Sequence, residues 1–395
     1  MKQLFIIGAI SMALFSCSEV KVDLSSTSIH LLGSIKQNDS SFVRFNAELS
    51  QDTLYIRNGL AETITVVLSG EDTLKGSFPV FASDLWLLKS EQGYIGEFYR
   101  TDAENYRLPL EFVEGVIDYP NATTNWPAQY AINRMSQEGN VSPALLQLGL
   151  TEGVLTGSIA TSTGDSRFLT GWETEAGFQL QGFDGRFIYN VIAHVIGDSV
   201  WGNVYSGKTG YYSFQGRTDD QAVLEDPKTM TELVPDYSHI EWHLPNLNGD
   251  TVHFDSRNIT KPTILAIQGS WCPNCMDEGR VLDDFYREFN GDIEVYGLSY
   301  EYSGTLEKAT EAVQKMKRDL GISFPMVIAT YSAKQDANSI LPLQRIRSYP
   351  TSILLDAKGN VISIHTGFYG PSTREYDGYV NHMRVLLTDL VVDNG

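Results

Sequence analysis

From about residue 41 to residue 220 the apolar positions fall in short runs rich in Val, Ile, Thr, Tyr and Phe, broken by Gly, Asn and Asp. Examples are 63–68, 93–99, 178–181, 187–196 and 211–215, with turn signals at Ser69-Gly70, Asp184-Gly185 and Ser206-Gly207 between them. Runs of this kind are strands, so 41–220 is expected to be a β-rich, all-β region, a sandwich or a partly closed barrel. A helical interruption is expected at 143–149. The stretches 70–76 and 197–202 read alike, each an acidic turn and a return strand ending in glycine. They suggest two β units, although any meander gives the same pattern.

Beyond a polar linker at 221–235 the pattern changes. A hairpin at 240–254 leads into alternating strands and helices over 236–395, with strands near 263–267, 293–298, 326–329, 352–355 and 361–365. Val281, Leu282, Phe285 and Phe289 share one face of a helix starting near Pro273. Further helices are expected at 306–320, ended by Gly321, and at 376–390. Alternation of this kind predicts a mixed α/β sheet. The expected fold is therefore multidomain, all-β followed by α/β.

The first sixteen residues stand apart. Lys2 precedes an apolar core from Leu4 to Phe15, too short to span a bilayer comfortably. Leu14, Phe15 and Ser16 then lead into Cys17, a run that resembles the bacterial lipobox. That resemblance implies removal of a signal peptide, 1–16, lipidation of Cys17, and a membrane held through acyl chains; an ordinary secretory signal is the alternative. Either way the chain leaves the cytoplasm, where disulfides persist. Residues 17–40, polar and rich in serine, are expected to be a tether.

Composition adds one exclusion. Among 395 residues the charged fraction is 20% and the net charge −20, which repels a phosphate backbone and argues against nucleic acid as partner. The chain has three cysteines. With Cys17 lipidated, Cys272 and Cys275 remain as a pair.

That pair carries the strongest chemical signal, Trp271-Cys272-Pro273-Asn274-Cys275, where a buried strand gives way to a helix. Free N–H groups and the helix dipole favour a thiolate at the first cysteine. Cys272 is thus the candidate nucleophile and Cys275, one turn on, the resolving thiol of a redox disulfide. An inert bridge and half of a zinc site are the competing readings. Zinc needs four ligands, for which only His239, His243 and His253 stand nearby in sequence. The run 202–209 fits a P-loop pattern, but a strand pattern follows it where that loop needs a helix. It reads as a hairpin turn.

The region from about 235 to 390 resembles the TlpA/ResA-like branch of the thioredoxin family. The likeness rests on Leu-Pro-Asn-Leu-Asn-Gly (244–249), Gly-Ser-Trp-Cys-Pro-Asn-Cys (269–275), Tyr-Pro-Thr-Ser-Ile-Leu-Leu-Asp (349–356) and Lys-Gly-Asn-Val-Ile (358–362). It implies that Pro350 is cis and faces the cysteine pair, with Tyr349 and Thr351 beside it to meet a substrate strand. It also implies that Trp271 shields the active-site cysteine and shapes the contact surface. Glu278, three residues after Cys275, matches a functional glutamate of this branch and is the candidate proton relay; a solvated helix acid beside Asp277 is the plainer reading. Thioredoxin itself has a buried aspartate where this chain has Ala266. His365 reads as a packed or surface histidine, and Asp283 and Asp284 as a solvated helix edge.

Together these features point to an exported, lipid-anchored thiol–disulfide oxidoreductase of the bacterial cell envelope, facing the periplasm or the cell exterior. The resemblance implies a disulfide reductase, with protein disulfides as substrates and a membrane electron donor to recycle it. No metal and no cofactor is called for. The competing function is a lipid-anchored binding or assembly protein whose β-rich domain holds a partner. A peroxidase is disfavoured, because Gly269 and Leu265 stand where peroxiredoxins have Thr and Pro.

Overall fold

The computed structural model describes residues 28–393, so the leader 1–16 and Cys17 lie outside the described residues. The expected tether does not extend to residue 40. Strand β1 (Ile29–Asn38) already belongs to the first folded body. Its inward positions are Leu31, Gly33, Ile35 and Gln37, an alternation in which glycine and glutamine hide the apolar period.

With β2 (Ser41–Ser50), β3 (Thr53–Asn58), β4 (Glu62–Ser69), β5 (Thr73–Ser77), β6 (Ser83–Ser90), β7 (Gly93–Arg100) and β8 (Arg107–Glu114), it forms a closed antiparallel barrel. Closure comes from β8 returning to β1, which leaves no free edge. Gly33 faces Phe45 across the ladder, and a Cβ there would stand 2.3 Å from the ring. Glycine at that place makes room for the barrel's aromatic core.

The second body contains β9 (Gln129–Ser136), β10 (Val141–Thr151), β11 (Val154–Thr161), the short β12 (Gly164–Asp165), β13 (Leu169–Thr174), β14 (Gly177–Phe183), β15 (Ile188–Ile196), β16 (Ser199–Ser206) and β17 (Gly210–Thr218). The chain meanders through them, β17 pairs with β9, and β10 pairs with both β9 and β11, so the ladder returns on itself. The helix expected at 143–149 is strand: Ala144 to Leu148 are buried on consecutive positions because both faces of β10 are covered. The look-alike hairpins at 70–76 and 197–202 are β4–β5 and β15–β16, the fourth and fifth strands of one ring and late strands of the other. Their likeness is that of two meander turns.

A hairpin, β18 (Glu241–Pro245) and β19 (Thr251–Asp255), precedes the α/β domain. There β20 (Thr263–Gln268), β21 (Glu294–Tyr300), β22 (Met326–Thr330), β23 (Thr351–Leu355) and β24 (Val361–Thr366) form a mixed sheet in the order β22-β21-β20-β23-β24. The central strand β20 is buried at every position, as a strand covered on both faces must be. Helices α1 (Pro273–Glu288), α2 (Leu306–Leu320) and α3 (Tyr376–Val392) complete it. A Thr305 N-cap and a left-handed Gly321 fix the ends of α2.

The three bodies are packed on one another. Phe183 and Ile188 of the second body enter the barrel core, where Phe183 meets Phe45, Phe78 and Phe98. Val80 and Phe81 of the barrel join the core of the α/β domain. All three meet at Arg167. Its guanidinium holds Asp277 of α1 through two bonds, 2.9 and 3.1 Å, and reaches Asp184 of the second body and Glu62 of the barrel at 3.1 Å each. Burial opposes the charge on Arg167, but Asp277, Glu62 and Asp184 outweigh it and hold the group protonated.

Removing one member of a buried ion pair strands its partners and destabilises by about 3–5 kcal/mol. Arg167→Met is therefore expected to lower the free energy of unfolding in urea by about 3–5 kcal/mol, and a loss near zero would show that these charges are solvated.

Candidate active site

Helix α1 starts where Pro273, at its first position, and extended Cys272, as N-cap, leave the β20 strand end. In place of the usual cap oxygen, the Cys272 sulfur accepts the Cys275 N–H at 3.3 Å. The Cys272 S–H donates to the Tyr349 carbonyl at 3.4 Å. Tyr349 precedes Pro350 through a cis peptide bond, so this turn faces the cysteine pair. Both cysteines are free thiols.

The second sulfur is in a different environment. Cys275 is fully buried, and burial first, then the Cys272 sulfur and the charge of Glu278, push its thiol well above the usual range. Glu278, 1% exposed, lies beneath it on α1. Burial lifts the Glu278 carboxyl to about 8, against a hydrogen bond to Ser352 that pulls the other way. Oε1 has no partner among the described residues. Ser352 stands directly across the ladder from Ala266 and so shares its face of the sheet. The small Ala266 and the Glu278 carboxyl thus occupy one side of the sheet, and Glu278 is not a solvated helix acid.

The remaining expected residues divide. Trp271 donates its indole N–H to the Tyr300 carbonyl at 2.9 Å and packs against Tyr349 and Tyr302. Thr351 is fully buried, gives its hydroxyl to the Ser348 carbonyl at 2.8 Å, and pairs with Ile267 and Thr366 on either side. Its side chain is therefore not placed to touch a substrate. His365, packed on the Tyr379 ring, is pushed down to about 4 by burial. Asp283 is not a solvated edge: it is buried and accepts the Ser323 hydroxyl at 2.6 Å. Asp277 is likewise buried, on Arg167. His243 and His253 stack across the β18–β19 hairpin, 4.1 Å between ring centres, and gather with Glu241 rather than with the cysteine pair. The P-loop-like run lies on the β16–β17 hairpin, its Lys208 bound to the Asn105 carbonyl.

Sequence reasoning missed two groups. Glu301, buried just past the end of β21, takes the Ser270 N–H at 2.7 Å and its hydroxyl at 2.8 Å, and so fixes the turn that leads into Cys272. Its place at the carboxyl end of a parallel strand was the available signal. Asp165, from the second β body, accepts the Asn274 amide at 2.8 Å, within the motif itself. No local signal marks it.

A model of the AhpC/TSA family matches residues 236–364. Thioredoxin-like protein YneN of Bacillus subtilis is 23% identical over 161 residues, 41% of this chain and 83% of that protein. Thiol-disulfide oxidoreductase ResA of Halalkalibacterium halodurans is 26% identical over 129 residues, 32% of this chain and 66% of that protein. The C-terminal domain belongs to the thioredoxin family. Within that family this thioredoxin domain is TlpA/ResA-like, of the thiol–disulfide oxidoreductase kind. A solved structure of a putative thiol:disulfide interchange protein DsbE from Chlorobium tepidum aligns with 17% identity and a TM-score of 0.31, covering 41% of this chain and 96% of that one.

The buried Glu278 has a consequence for stability. From the ordinary value of 4.5 up to about 8, the folded thioredoxin domain keeps a proton that the unfolded chain has lost. Its contribution is full at acid pH and declines as pH rises through that window. Glu278→Gln removes the titration. The melting temperature of this variant is expected to rise relative to wild type between about pH 5 and about pH 8, and a constant difference would place the carboxyl in solvent.

Proposed function

We propose that this chain is an exported, lipid-anchored thiol–disulfide oxidoreductase that reduces disulfides of protein segments in the bacterial cell envelope. The observation that carries the reading is the Cys272 sulfur at the α1 N-terminus, accepting the Cys275 N–H, above a buried Cys275–Glu278 pair. That arrangement presents the outer sulfur at a helix start and keeps the inner one protonated until it is needed.

In the first step the Cys272 thiolate attacks one sulfur of a substrate disulfide. A Cys272–substrate S–S bond forms, the substrate S–S bond breaks, and the departing thiolate takes a proton. Cys275 then gives its proton to ionised Glu278 and attacks the Cys272 sulfur. The second substrate thiol leaves, and the cysteine pair is oxidised as the substrate gains two electrons. A membrane electron donor carrying a dithiol restores the pair. Glu278, its carboxyl lifted to about 8 by burial, suits the proton transfer. Trp271 and Tyr349 form the wall beside the attacking sulfur, and Pro350 orients the Tyr349 carbonyl that holds it.

Export and anchoring rest on the leader and on Leu14-Phe15-Ser16-Cys17. The β-rich region touches the redox motif through Asp165 and the same helix just beyond it through Arg167, which favours a role in the exchange over an independent binding function.

Cys275→Ala is expected to accumulate proteins disulfide-linked to Cys272, seen as reductant-sensitive bands on gels. Cys272→Ser should abolish disulfide reduction, and retained activity would end the redox reading. Glu278→Gln should slow release of the mixed disulfide about 100-fold while leaving its formation unchanged, measured by stopped flow. Cys17→Ser should move the protein from the membrane to the soluble fraction.

A further inference from the structure

A thiol that exchanges with disulfides on folded surfaces has to be presented on an open face. Here Cys272 is 4% exposed and Asn274 9%. Segment 163–167 of the second β body lies against Asn274. Gly164 forms a parallel bridge to Phe368, and a Cβ on it would stand 2.6 Å from the Asn274 side-chain oxygen. The backbone there is thus in direct contact with the motif. A Cβ on Gly367 would in turn meet the Thr163 carbonyl at 2.5 Å.

Asp165 seals this contact. Its carboxylate accepts the Asn274 amide at 2.8 Å, the Gly370 N–H at 2.9 Å and the Ser372 hydroxyl at 2.8 Å, all from the thioredoxin domain. Two residues on, Arg167 grips Asp277 of the same helix. Lifting the segment would strand a carboxylate and a guanidinium whose partners are spread over three bodies, so the closed arrangement is the resting one.

Two openings lie against the motif, a cleft of about 880 Å³ beside Ser270 and Trp271 toward the barrel and a narrower one toward the second β body. The narrower cavity, of about 260 Å³, lies between Asn274, Ser348 and Tyr349 on one wall and Thr161, Tyr189 and Tyr212 on the other. Tyr349, whose carbonyl accepts from the Cys272 sulfur, links this cavity to the nucleophile. Pockets that take drug-sized ligands run from about 300 to 1,000 Å³, so this one fits a narrow occupant. Its side-chain hydroxyls and amide suit a peptide backbone.

We propose that segment 163–167 is a selectivity cover on the redox motif, which gives Cys272 access to a cysteine on a single extended peptide segment and excludes disulfides on folded surfaces. This inference rests on the oxidoreductase reading and adds its substrate class. The exchange is unchanged: one S–S bond forms as another breaks, and the displaced thiolate takes up the proton.

The test uses the full chain, reduced, in a Cys17→Ser background. Thionitrobenzoate is carried as a mixed disulfide either on an unstructured decapeptide or on a surface cysteine of a folded globular domain. Its release by Cys272 is timed by absorbance, each rate being divided by that of free glutathione with the same probe. A cover open about 1% of the time slows the folded probe about 100-fold relative to the peptide. Asp165→Ala is expected to reduce that ratio at least tenfold while the peptide rate holds within a few fold.

Equal normalised rates in wild type would overturn the cover, as would an unchanged ratio in a variant that melts cooperatively. Should Asp165→Ala not fold, Ser372→Ala loosens the same carboxylate from the other side and is judged by the same ratio. The two readings fail separately. Absence of release from both probes would remove the redox function, whereas equal release from both removes only the cover.

Discussion

The guanidinium of Arg167 has no water to fall back on, and that constraint organises the molecule. Three carboxylates from three separately folded bodies converge on it. Each carboxylate alone would be costly to bury. Assembled around one cation they are tolerable, and Glu62, lifted by burial even beside Arg167, shows how little is spared. A buried charge cluster of this kind rewards a single arrangement, because any slippage between bodies leaves an ion unpaired. The apolar contacts of Phe183, Val80 and Phe81 supply adhesion. The charges supply register.

Register matters because one of the three acids sits two residues after Cys275. By holding Asp277, the second β body fixes the first turn of the helix that carries the redox pair. Asp165 does the same for Asn274, and Glu301 for the turn before Cys272. The motif is therefore held from three sides, one within the thioredoxin domain and two from outside it. The β-rich region is part of the environment of the reacting sulfurs.

That environment differs between the two sulfurs. Cys272 caps a helix and accepts the Cys275 N–H. Cys275 meets apolar burial and a nearby acid, which oppose its ionisation. A buried inner thiol held protonated gives the exchange an order of events. Glu278 takes the side of the sheet that the short Ala266 leaves free, so an acid reaches the site from the helix in the absence of one from the strand.

Much of this was legible in the amino-acid order. The strands and helices beyond residue 240 and the cysteine pair at a helix start follow from periods and spacings a few residues long, while the turn at Pro350 was implied by the family resemblance. Strand β1 was hidden because a barrel interior accepts Gly33 and Gln37 among its inward positions, which erases the apolar alternation. The run Ala144–Leu145–Leu146 suggested a helix because its burial on both faces depends on neighbours far along the chain. Asp283 looked like a solvated acid for the same reason. Local sequence determined which residues form elements and where a thiolate is favoured, since those are effects of neighbouring backbone. Only the tertiary structure decided which charges are buried, what covers the motif and where Glu278 finds its proton, because desolvation is set by atoms a hundred residues away.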